Sequence, residues 1–155
     1  MADTTYLTKT VEEFIRAHLA DSCGQPFRKR FLDLRPGGKH EFDAVSEDGT
    51  IVASIKAHSG LTSGGKAPSG KILACLAELY YLTLVDAPTR LLVLTNPLFF
   101  EIFKRKTVGA VADGLTIELV PLPTEMQAKV DSVVREASRE MSPAAAEAEV
   151  ETEIT

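Results

Sequence analysis

The sequence predicts one α/β domain built on a central mixed β-sheet with helices packed against it, and three observations lead there. The chain has 155 residues, 45% hydrophobic and 25% charged, which suits a single globular domain with enough chain to bury a core. Segments of helical and of strand period alternate as helix, strand, strand, strand, helix, strand, and then helix, strand, helix. Residues 40–59 place two β-type runs around Asp48-Gly49, the strongest short hairpin signal in the chain. Collagen-like, disulfide-rich and wholly disordered classes are excluded.

The elements follow in order. Residues 10–20 read as a helix capped by Thr10, with Glu12 and Glu13 near its positive end and Val11, Phe14, Ile15 and Leu19 on one apolar face. Residues 27–34 alternate as a strand, which Arg35-Pro36-Gly37-Gly38 ends. In the hairpin, a two-residue type I′ loop at Asp48-Gly49 sets Val45 opposite Val52, Asp43 opposite Ser54 and Glu41 opposite Lys56. Those residues share one face, which collects polar groups; Phe42, Ala44, Ile51, Ala53, Ile55 and Ala57 form an apolar face for the core.

A Gly- and Ser-rich stretch at 60–70 reads as flexible, with Ser69 capping a helix over 70–84 that is apolar on most sides and so suits burial. Leu91 to Thr95 form a continuous apolar run, as for a strand covered on both faces. A helix over 97–106, a strand over 115–120 and a helix from Thr124 to about Glu140 complete a domain spanning residues 1–140. Residues 141–155 have little to bury and read as a disordered acidic tail.

The polar cluster on the second and third strands carries the chemistry. The segment from Gly37 to Ala57 resembles the metal-binding core of the PD-(D/E)XK nuclease superfamily, which sets an Asp on one strand and a carboxylate-x-Lys on the next, with a helix following. The matching residues are Asp43 and Ser54-Ile55-Lys56, in a resemblance covering roughly residues 10–96. It implies a restriction-endonuclease-like core of order αβββαβ, with an extra C-terminal strand and helix, and a Mg²⁺- or Mn²⁺-dependent, endonucleolytic deoxyribonuclease. Asp43 and the carbonyl of Ile55 would then hold the metal, and Lys56 would position or deprotonate the attacking water and offset developing charge.

Position 54 is Ser where that family has Glu or Asp, so a second carboxylate is needed. Glu78 on the following helix is one candidate, as in Ser-x-Lys members whose carboxylate has moved there; Glu41, opposite Lys56, is the other. Glu12 or Glu13 could add a further acidic ligand. Glu78-Leu79-Tyr80-Tyr81 is also similar to the polar-then-tyrosine patch of the family's exonuclease branch, where Gln normally precedes the tyrosine. The bland counterpart is a cross-strand hydrogen bond from Ser54 to Asp43 and a surface ion pair between Lys56 and Glu41, worth little. His58 shares the polar face with Lys56 but, as a single His near a Gly-rich loop, reads as incidental. His18 and His40 carry no partner pattern, and the Gly-rich stretch lacks phosphate-loop spacing.

Charge bears on the partner. The net charge is −5; the tail holds four of the acids (Glu147, Glu149, Glu151 and Glu153), so −5 less −4 leaves the body at −1. Arg28, Lys29, Arg30, Arg35 and Lys39 precede the hairpin, and Lys66 and Lys71 bracket the entry to the second helix, where phosphates would need neutralising. Double-stranded DNA is the expected partner, bound by a homodimer or a subunit of a larger complex. There is no Trp and little aromatic content to stack single strands. The alternative reading is a catalytically inactive member that binds nucleic acid or protein. No secretory signal or membrane span is visible and Cys23 and Cys75 form no zinc or redox pattern, so the cytoplasm is the expected compartment.

Overall fold

The computed structural model describes residues 4–58 and 68–141. The tail beyond 141, Lys66 and most of the Gly-rich stretch, expected to be disordered or flexible, lie outside these residues. A one-turn helix α1 (Thr4–Tyr6) and a π-helical turn (Leu7–Val11) lead into α2 (Glu12–Cys23), followed by β1 (Phe27–Asp33), β2 (Lys39–Ser46) and β3 (Ile51–Lys56). Then come α3 (Ser69–Thr83), β4 (Thr89–Leu94), α4 (Pro97–Lys106), β5 (Leu115–Leu119) and α5 (Thr124–Met141). No described helix is long and apolar enough to cross a membrane.

The five strands form one mixed sheet in sequential order: β1, β2 and β3 are antiparallel neighbours, while β4 and β5 add in parallel to β3. Parallel neighbours joined by right-handed crossovers that step in one direction place their helices on one face. Accordingly α3 and α4 supply Cys75, Leu79, Leu82, Phe99 and Phe103 to a core with Val45, Val52, Leu92 and Leu94. The opposite face is left for α2, the π-helical turn before it and α5, whose Ile15, Leu19, Val11 and Val130 pack on Ala44, Ala53, Ile55, Leu91 and Val93. Alternate residues of β4 therefore enter different cores, which accounts for its uninterrupted apolar run.

Both faces of β3 are thus covered, and the hairpin does not divide into one core face and one solvated face. Its loop also differs from expectation. Only Gly49 takes a positive φ (75°), so Asp48 does not meet the demands of a type I′ turn. Residues 47–50 form a four-residue loop instead, closed by Gly49 N–H donating to Ser46 O at 2.9 Å. The Asp48 carboxylate accepts from Thr50 N–H and from the Thr50 and Ser46 hydroxyls, which lowers its pKa to about 2. Both loops are symmetric about the same midpoint, so Val45 still pairs with Val52 and Ala44 with Ala53.

A β-bulge then changes the alternation. Arg28 pairs with Val45 but Arg30 with Phe42, so β2 carries one extra residue across the step. The extra residue turns Phe42 away from Ala44 and into the α3-side core beside Val45. The expected pairing of Asp43 with Ser54 and of Glu41 with Lys56 is absent from the ladder, which holds Ala44–Ala53 and Val45–Val52.

Two helix starts also differ. Helical backbone begins at Thr4, so Thr10 lies inside a helical run and is no cap. In α3, Pro68 occupies the N-cap position and Ser69 is already helical, with no side-chain cap bond. That helix covers one layer only, and it leaves Leu73, Leu76 and Tyr80 exposed, contrary to the burial its composition suggests. Both cysteines are free, with Cys75 in the core, where burial raises its thiol to about 12.

Candidate functional site

The site forms where β2 and β3 stop pairing, at the carboxyl end of the parallel strands. Asp43 sits in the bulge. Its Oδ2 accepts the backbone N–H of Ile55 at 2.7 Å, so a side chain occupies the place of a ladder carbonyl. Its own carbonyl is held from the other layer by Arg16 Nη1 at 2.9 Å. The N–H and C=O of one strand residue point to the same side. The Ile55 carbonyl therefore also faces Asp43, beyond the end of the ladder.

Glu78 meets this edge from α3. It lies on the same helix face as Cys75, Leu79 and Leu82, which carries its carboxylate over the sheet rather than to solvent. Oε2 accepts the Ser54 hydroxyl at 2.9 Å and lies 3.3 Å from His40 Nε2, while Oε1 is 3.9 Å from Lys56 Nζ. Glu78 is only 18% exposed and Lys56 28%, so these partners offset a real desolvation cost. The 3.9 Å separation is too long for a hydrogen bond, so the Lys56 ammonium keeps its donors for another acceptor.

Burial is the main cause of the raised Asp43 pKa, and the nearby negative charge of Glu78 adds to it; the Ile55 N–H and Lys56 oppose both. Glu12 is raised for the same principal reason, with the charge of Asp43 second. Asp43 on β2 thus feels a carboxylate from each layer, Glu12 of α2 and Glu78 of α3. Glu12 is balanced by Arg16 at 3.5 Å and by Lys29 at 3.6 Å, and Lys29 also reaches Glu41 at 3.6 Å.

The sequence-based candidates divide accordingly. Asp43, Ser54, Ile55, Lys56 and Glu78 come together. Glu41 does not stand opposite Lys56 as expected; beyond the bulge its partner is Lys29 on β1. Glu13 is exposed, and Glu12 is the first-helix acid that approaches Asp43. Of the basic residues, Arg28 and Arg30 are exposed along edge strand β1. Lys29 is engaged by Glu12 and Glu41, Arg35 by Asp86 and the Thr83 carbonyl, and Lys39 by Asp33. Burial lowers the pKa of Lys71, at the start of α3.

Two histidines sit against aromatic rings beside the site. His40 stacks flat on Tyr81, at 3.9 Å and 5°, and meets Phe42 edge-on at 4.8 Å. Its single sequence signal is its parity with Phe42 on a strand, which marks a polar residue in apolar company. His58 lies edge-on to Phe99 at 5.5 Å with Nε2 buried and unpartnered. Burial, then the charges of Lys56 and Lys71, lower its pKa to about 4.

A histidine with a lowered folded-state pKa contributes stability above its ordinary value near 6.5, lost as the pH falls toward 4. The full contribution is about 3 kcal/mol at ~1.4 kcal/mol per pKa unit. Chemical denaturation of wild type and His58→Leu at pH 7.5 and 4.5 is expected to show the larger acid-induced loss in wild type. Asp43 and Glu12, with raised values, act in the opposite sense and cancel in that difference. Equal losses in the two proteins would refute the assignment.

Among the described residues, no three His, Cys, Asp or Glu side chains gather closely enough to cage an ion by themselves. The donor set is nonetheless of the hard oxygen type, two carboxylates and the Ile55 carbonyl that strand parity turns toward Asp43. Mg²⁺ is commonly bound through one or two carboxylates with water completing the shell. Comparison with known proteins finds no matching family model, no matching curated protein and no matching solved structure.

Proposed function

We propose that the protein is a Mg²⁺-dependent phosphodiesterase acting on DNA, built on a restriction-endonuclease-like variant of the α/β fold. The observation that carries this reading is the position of Glu78. The carboxylate missing at Ser54 is replaced by one from α3, and Ser54 itself donates to it at 2.9 Å. Asp43 and Glu78, with the Ile55 carbonyl, would hold the cation. When bound, Mg²⁺ supplies a Lewis acid for the scissile phosphate and lowers the pKa of a water.

The remaining roles belong to the chain itself. Asp43 is fixed by Ile55 N–H on one side and, through its carbonyl, by Arg16 on the other. Lys56 carries a positive charge beside two carboxylates without being hydrogen-bonded to Glu78, so it can orient the attacking water and meet charge growing on the phosphate. Exposed Arg28 and Arg30 offer phosphate contacts on edge strand β1.

A second reading, a catalytically inactive domain that binds nucleic acid or a protein, is favoured by one fact. Glu78 already has Ser54, His40 and Lys56 around it, so its charge is satisfied without a metal. Calorimetric titration of Mn²⁺ and incubation with supercoiled plasmid plus Mg²⁺ or Mn²⁺ separate the two. The phosphodiesterase binds Mn²⁺ and nicks or linearises plasmid, and EDTA abolishes the cleavage. Intact plasmid under both metals would sink the enzymatic reading.

A further inference from the structure

We propose that His40 is a positioning residue that holds Glu78 in the orientation needed to receive the cation, an inference that rests on the metal-dependent reading above. The bulge at Asp43 is what brings His40 to the α3 side of the sheet, with Phe42. There its ring is fixed on two sides, flat against Tyr81 at 3.9 Å and edge-on to Phe42 at 4.8 Å. Its Nε2 then stands 3.3 Å from Glu78 Oε2. An ionised carboxylate only accepts hydrogen bonds, so Nε2 carries the hydrogen and donates.

The two oxygens of Glu78 are consequently unequal. Oε2 receives both His40 and Ser54, while Oε1 is left 3.9 Å from Lys56. A glutamate on a helix has three side-chain torsions, and a cation that must order them loses affinity. Two donors on one oxygen order them beforehand and turn the other toward the site. Of the two donors, the Ser54 hydroxyl is on a short side chain of β3, whereas His40 belongs to β2, so together they tie the α3 carboxylate to both strands that carry the site. Partners of this kind, bound to a ligand rather than to the metal, are worth 10- to 100-fold in metal affinity.

Calorimetric titration of Mn²⁺ into the full chain tests this, with thermal unfolding of each variant measured alongside. His40→Ala is expected to weaken Mn²⁺ binding about 10-fold. His40→Gln, which keeps an N–H donor on a side chain of similar reach, is expected to recover most of that loss. If Glu78→Gln abolishes Mn²⁺ binding while His40→Ala retains wild-type affinity, the role of His40 is overturned and the metal site stands. If His40→Gln is as weak as His40→Ala, the loss is one of packing and the positioning role is overturned as well. If wild type binds no Mn²⁺, or Glu78→Gln binds it as tightly as wild type, the metal reading itself fails and this inference falls with it.

Discussion

Replacing Lys56 by alanine is expected to reduce metal-dependent cleavage of DNA by about 10²–10⁴-fold, the range found when a positioned proton-transfer or charge-stabilising group is removed. The reason lies in what surrounds its amine. Nζ is 3.9 Å from Glu78 and close enough to Asp43 to lower that carboxyl, yet it makes no hydrogen bond to Glu78. Its charge is therefore available where negative charge would grow on a phosphate, next to the residues that would hold the cation. The fold should survive the change. Ser54 and His40 still donate to Glu78, and a part-exposed ion pair of this length contributes only about 1 kcal/mol. Arginine should not restore activity, because its planar, permanently charged fork cannot stand in for a compact ammonium. The measurement is the single-turnover rate on plasmid with Mg²⁺, beside an unfolding curve. Activity within a few-fold of wild type would remove Lys56 from the chemistry.

The largest stability effect is expected at Phe42. Its side chain is fully buried in the core between the sheet and α3, and its truncation to alanine should cost about 3–5 kcal/mol. For a chain of this size that corresponds to a fall in Tm of roughly 10 °C. The consequence reaches the site, because the Phe42 ring meets His40 edge-on and helps to fix it. Phe42→Leu, which keeps most of the apolar volume, should lose much less stability while still loosening His40. A loss below about 1 kcal/mol for Phe42→Ala would mean that this ring is not packed in a core.

Much of the fold is legible in local pattern, for physical reasons that differ by element. The helical stripe of Val11, Ile15 and Leu19 and the unbroken run of β4 report burial directly, since periodicity follows from which faces are covered. The extent of α4 is legible to the residue. Asn96 accepts from Phe99 N–H, Pro97 needs no donor at the first position, and Lys104, Arg105 and Lys106 suit the negative end of the helix. The hairpin register is legible next to the loop, at Val45–Val52 and Ala44–Ala53, although the loop is of another type, because symmetric loops of two and four residues give the same pairs. The expected pairs beyond Ala44 are lost at the bulge.

What the pattern did not contain is the bulge. Strict alternation sets Phe42 with Ala44 and leaves His40 on a core face without a partner, whereas one extra residue in β2 sends both to α3. The same step moves Glu41 to Lys29 and leaves Glu78 as the carboxylate beside Lys56. By itself, then, the sequence determined the succession of elements, the hairpin pairs next to the loop and the types of residue at the strand edge. Only the tertiary structure decided that Glu78, 24 positions after Ser54, closes the cluster and that His40 joins it. Local propensity and periodicity act over a few residues, whereas a bulge and a helix docked across a sheet are settled by packing between segments far apart in the chain.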